Sequence, residues 1–152
     1  MTNSSTDRIE KEIQLAAPVE RVWRALTDAA QFGQWFQVAL EGSFRVGETV
    51  RGTMTHPDAA GMTFVAHVER MEPHRAFTFR WNQTEPDPHA APGSEPTTTV
   101  EFVLKPRSGG TWLRMIESGF DALPPELRTE LWARTERGWR EQMQNIARHV
   151  QG

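Results

Sequence analysis

Glu117 is the side chain whose type and position point most directly to chemistry. Leu113 and Met115 alternate with Trp112, Arg114 and Ile116, so Glu117 shares the Leu113/Met115 side of a strand. If that side faces inward, the carboxylate loses water, its pKa rises, and it can serve as a general acid or base near neutrality. The competing reading ends the strand at Glu117 and sends the side chain to solvent or to an arginine such as Arg80 or Arg114. Carboxylates are seldom buried, so both readings stand at the level of sequence. Glu117 is the candidate catalytic residue, and whether the chain is an enzyme stays open.

Other chemistry is largely excluded. There are no cysteines, which removes disulfides, thiol catalysis and thiolate metal sites together. The five histidines, at 56, 67, 74, 89 and 149, show neither an i,i+4 pair nor a metal-ligand spacing, so no metal site is expected. No phosphate-cradling G-x-G-x-x-G or G-x-x-x-x-G-K-[ST] occurs, and no G-x-S-x-G elbow or Ser/His/Asp set can be nominated. No cofactor is expected. Gly109-Gly110 reads as two turn glycines.

Large apolar side chains are the second resource: six Trp and eight Phe, but no Tyr. Trp35 and Phe36 could cover a cavity, and Phe64, Phe79, Trp81, Phe102 and Met115 could line it from a sheet. Trp139 and Met143 could line it from a helix. Met54, Met115 and Met143 suit irregular walls because an unbranched thioether adapts its shape. Each is equally compatible with plain core packing. Gly138, inside a helical pattern, costs about 1 kcal/mol relative to Ala. Close approach of another element or of a ligand would explain it; so would simple tolerance.

The elements that must position these residues follow from hydrophobic period. Ile9, Ile13 and Leu15 mark a first strand after a flexible polar segment over 1–7. Pro18 opens a helix carrying Val19, Val22, Trp23 and Leu26 at i, i+3, i+4 and i+7. Asp28 and Gln31 resemble a capping box before a shorter helix with Phe32, Trp35 and Phe36. Phe44–Val46, Gly47-Glu48 and Thr49–Thr55 read as a hairpin. Strands follow around Met62–Glu69, Phe77–Trp81, Val100–Leu104 and Leu113–Ile116. Residues 83–96 contain four prolines and form a long mobile loop within a hairpin. Finally, Pro124-Pro125 opens a helix to about Val150, with Leu127, Leu131, Met143, Ile146 and Val150 on one stripe, roughly 38 Å long. This order predicts an α+β helix-grip fold over 8–152: a curved antiparallel β-sheet wrapped around a long C-terminal helix, with two short helices after the first strand. Such a sheet leaves room for a cavity at one end of the helix.

With 152 residues a single domain is expected. Seventeen basic against twenty acidic residues give a charge of −3, which argues against a duplex-DNA partner. No stretch is apolar enough for membrane insertion, and no secretory signal is visible, so a cytoplasmic location is expected.

Residues 17–28 (Ala-Pro-Val-Glu-Arg-Val-Trp-Arg-Ala-Leu-Thr-Asp), 32–36 (Phe-Gly-Gln-Trp-Phe), Phe77–Trp81, 117–120 (Glu-Ser-Gly-Phe) and Gly138-Trp139 carry a resemblance. In order and spacing they resemble the START-like, helix-grip (SRPBCC) superfamily, in the branch homologous to the C-terminal domain of the activator of Hsp90 ATPase. The resemblance implies a cofactor-free domain with an internal apolar cavity. The expected cavity, its aromatic lining and the lack of catalytic motifs make binding of a small apolar or aromatic molecule between sheet and C-terminal helix the leading expectation. A cyclase- or dehydratase-like enzyme using Glu117 is one alternative. The other, a module that stimulates an Hsp90-type chaperone ATPase, follows from the resemblance alone, as would a stress-response role.

Overall fold

The computed structural model describes residues 7–91 and 96–151. In chain order these are β1 (Arg8–Leu15), α1 (Val19–Thr27), α2 (Ala29–Phe36), β2 (Val38–Glu41), β3 (Thr49–Met54), β4 (Thr63–Glu72), β5 (Ala76–Asn82), β6 (Thr97–Arg107), β7 (Gly110–Ser118) and α3 (Pro125–Gln151). A single 3-10 turn over Phe120–Ala122 joins β7 to α3. The strands form one curved antiparallel sheet in the order β1-β7-β6-β5-β4-β3-β2. The α+β helix-grip architecture is therefore present, with α1 and α2 following the first strand and α3 lying across the sheet.

Alternation explains the sheet's inner face. Thr98, Val100, Phe102 and Leu104 are buried along β6, and Thr111, Leu113, Met115 and Glu117 along β7. In β4 both Phe64 and Val65 are buried, so that strand is covered on both faces. The rings of Phe32, Phe36, Phe44, Phe64, Phe77, Phe79, Trp81, Phe102 and Trp139 form a continuous edge-to-face and stacked cluster. Burial and ring geometry together make this cluster the main stabilising mass.

Contacts from α1, β1 and α2 help to seat α3. Arg21 on α1 donates from Nε to the Val150 carbonyl (2.7 Å) and from Nη2 to that of His149 (2.9 Å), satisfying carbonyls that the helix end leaves unpaired. Lys11 on β1 pairs with Glu136 at 2.5 Å. Gln142 donates to the Phe36 carbonyl at 2.8 Å, tying α3 to the end of α2.

Several details depart from sequence expectation. The partner of β3 is Val38–Glu41, not Phe44–Val46. The latter segment is irregular, with Phe44 buried in the ring cluster and Val46 exposed. A four-residue strand directly after a helix offers too short a period to detect. Asp28 precedes α2 but makes no side-chain cap. Leu127 lies on the exposed side of α3. Gly110 is more than a turn residue: a Cβ there would lie 2.1 Å from the Leu15 carbonyl oxygen. Asp7 is held by backbone bonds from Gly119 and Phe120, while the rest of the segment expected to be flexible falls outside the described residues. The Pro-rich connection leaves β5 in an ordered way. Gln83 bonds Pro96 across its base, and Glu85 accepts from the Thr63 backbone at 3.0 Å and from its hydroxyl. Residues 92–95 of that loop also fall outside the described residues.

Candidate functional site

Beside the middle of α3 a pocket of about 590 Å³ opens between the helix, the last turn of α2, the β3–β4 connection and the start of the β5–β6 loop. Its apolar wall is built from Phe36, Met54, Met62, Phe64, Trp81 and Trp139. The four rings touch one another: Phe36 lies 5.6 Å from Trp81 and 5.9 Å from Trp139, and Phe64 lies 5.8 Å from Trp81. Asn82, Gln83, Arg134, Thr135, Arg137 and Glu141 add polar groups to its lining. A concave apolar surface with a few polar groups is the usual form of a small-molecule site.

Glu117 points inward and is fully buried, directly behind this wall. Its Oε2 accepts from Trp81 Nε1 (2.7 Å), Gln83 Nε2 (3.1 Å) and the Thr98 hydroxyl, and its Oε1 accepts from Trp139 Nε1 (2.6 Å). No cation is among these partners. Desolvation therefore dominates and holds the carboxyl above its ordinary value, while the donors, Thr98 foremost, pull the other way. Three of the four donors, Trp81, Gln83 and Trp139, also line the pocket; Glu117 does not. The carboxylate is thus a buried anchor for pocket-lining side chains.

Of the residues singled out from sequence, the structure brings Phe36, Met54, Phe64, Trp81 and Trp139 together around the pocket. Trp35, Phe79, Phe102, Met115 and Met143 lie in the packed interior, away from the pocket lining. Trp35 donates its indole N–H to the Ala25 carbonyl at 2.7 Å, which fixes α2 against α1. These side chains fill much of the space between sheet and helix, and the pocket lies against residues 134–142 in the middle of α3 rather than at the end expected from sequence. Arg80 and Arg114, the partners considered for Glu117, pair instead with Glu69 and Glu10.

Sequence reasoning missed Gln83, Thr98 and Gln142. The first two do leave a signal. Each continues an inward row that is otherwise apolar: Gln83, one residue past the end of β5, after Phe77, Phe79 and Trp81, and Thr98 before Val100, Phe102 and Leu104. With Glu117 they put a polar side chain at the same end of three adjacent, largely apolar rows.

Spacing also gave no hint that His56, Asp58 and Glu141 converge, each offering a ligand atom within 4.8 Å of the others. His56 Nδ1 accepts from the Asp58 backbone N–H (3.1 Å), which directs Nε2 toward Glu141 at 2.9 Å. One imidazole and two exposed carboxylates are a sparse donor set for a transition metal.

A curved antiparallel sheet gripping a long terminal helix, with a ring-walled pocket beside the middle of that helix, defines a helix-grip protein. The chain belongs to the family described as activator of Hsp90 ATPase homolog 1-like protein, whose family model matches residues 16–151. Among solved structures, protein MLL2253 of Mesorhizobium loti is similar at 24% identity and a TM-score of 0.76, covering 95% of this chain and 96% of that one. A protein of Arthrobacter aurescens is similar at 22% identity and a TM-score of 0.78, covering 99% and 90%. The Aha1 dimer of Colwellia psychrerythraea is similar at 17% identity and a TM-score of 0.70, covering 94% and 95%. Identities this low establish a shared fold. No curated protein sequence matches the chain significantly.

Proposed function

We propose that this chain, acting as one domain over residues 8–152, binds a small apolar or aromatic molecule in the pocket beside the middle of α3. The observation that carries the reading is the wall of Phe36, Phe64, Trp81 and Trp139 around about 590 Å³ of space, within the range of ~300–1,000 Å³ common for small-molecule sites. Two of those rings are oriented by hydrogen bonds to Glu117, so the surface a ligand meets is built before it arrives. Preorganisation of this kind lowers the entropic cost of binding. Titration of labelled protein with a panel of aromatic and lipid molecules tests the reading by NMR. It expects shifts centred on Phe36, Trp81 and Trp139 with a Kd below about 100 µM, equivalent to about −5.5 kcal/mol. A broad panel that shifts nothing in the pocket overturns it.

The cyclase- or dehydratase-like alternative draws less support from this geometry. A general acid or base must reach the proton it moves, and the Glu117 oxygens are engaged by four donors behind the wall. Stimulation of an Hsp90-type chaperone rests on family membership alone.

A further inference from the structure

Gly138 sits inside α3, where glycine disfavours the helix relative to almost any other residue. The chain's remaining described glycines have evident reasons. Gly42, Gly47, Gly61, Gly109 and Gly119 adopt positive φ, and a Cβ at Gly33, Gly52 or Gly110 would lie within 2.6 Å of a backbone oxygen. Gly138 has neither reason: its φ is not in the left-handed region, and a Cβ there would meet nothing within 4 Å. No neighbouring element of the protein needs the space.

That space is the pocket. Gly138 lines it, as do Arg134 and Thr135 one turn before and Glu141 and Gln142 one turn after. A side chain at 138 would therefore project from the middle of the helix's pocket face, beside Trp139. We propose that Gly138 is the specificity-determining position of this site: its missing side chain admits a flat aromatic ring system wider than one ring, which lies along the Trp81/Trp139 wall and against the bare helix backbone. The inference rests on the pocket-binding reading and adds to it the residue that sets ligand breadth.

The test is a size series on both sides. Phenol, 2-naphthol and N-phenyl-1-naphthylamine are titrated by fluorescence and NMR into the unmodified protein, Gly138→Ala and Gly138→Leu. Both substitutions favour the helix, and a Tm rise of about 2–4 °C for Ala shows that folding is intact. Overfilling a packed site weakens binding of N-phenyl-1-naphthylamine by about tenfold or more in Gly138→Leu, less in Gly138→Ala, with phenol least affected. If the unmodified protein binds none of the three, the pocket reading falls and this inference with it. If it binds them and Gly138→Leu binds all three equally well, the inference alone is overturned.

Discussion

Replacing Glu117 with glutamine keeps the shape of the side chain and changes only what its two terminal atoms can accept. In the native arrangement one oxygen takes Trp81, Gln83 and Thr98, and the other takes Trp139 at 2.6 Å. Glutamine has a single oxygen. Placed where three donors converge, it brings its NH2 against the Trp139 indole N–H, donor against donor. The reverse orientation faces three donors and is worse. The better orientation still leaves one buried indole N–H unpaired, a loss of about 1–3 kcal/mol, or a Tm lower by ~2–4 °C for each kcal/mol.

Ionisation works against that loss. Burial raises the Glu117 pKa, so the folded protein holds this proton to higher pH than the unfolded chain does. The native protein is therefore favoured fully below the ordinary carboxyl value of about 4.3. It loses stability as pH rises through the raised folded value, by up to about 1.4 kcal/mol per pH unit. Glutamine does not titrate. The stability gap between native protein and Glu117→Gln is thus largest below the ordinary carboxyl value and narrows as pH rises through the raised one. Urea unfolding of both proteins at several pH values measures it, and carboxylates elsewhere cancel in the difference. In the native protein the indole N–H signals of Trp81 and Trp139 are expected to move together over the same range. A gap that is absent at low pH, or that widens as pH rises, refutes the reasoning.

Thr98→Val removes the donor that most lowers the Glu117 pKa; the indole titration then moves to higher pH, and an unmoved midpoint contradicts the network. Gly110→Ala places a methyl 2.1 Å from the Leu15 oxygen and must displace β1; a loss of about 1–3 kcal/mol is expected on unfolding. Arg21→Met keeps apolar bulk but deprives α3 of two bonds at its C-terminus; about 1–2 kcal/mol is expected to be lost, with faster amide exchange confined to the last turn of the helix.

The fold was legible because its main elements repeat their periods long enough to be read. β6 and β7 alternate over 11 and 9 residues and α3 runs for 27. β2, with four residues, does not. The site was legible only in part, for a different reason. Hydrophobic period says that Phe36 on its helix and Trp81, Phe102 and Met115 on their strands are inward, but not how much of the interior is filled. Phe102 and Met115 meet other core side chains, whereas Phe36 and Trp81 lie where α3, the β3–β4 connection and the β5–β6 loop diverge. That divergence depends on three segments far apart in the chain. The same limit hid the approach of His56 to Glu141, separated by 85 residues.

Two features of this chain work against its own stability, and they meet at one place. A carboxylate without a counter-cation is costly in the interior, and a glycine weakens the helix that crosses the molecule. Either alone is tolerable in a marginally stable domain. Their positions are what matter: Glu117 anchors Trp81, Gln83 and Trp139 from behind, and Gly138 leaves the space in front of that wall open. A valine at 117 and an alanine at 138 would suit the local strand and helix better. Departures from local preference concentrate at functional sites because selection there acts on something other than folding. An anchored wall with open space before it is the arrangement that the proposed ligand-binding reading requires.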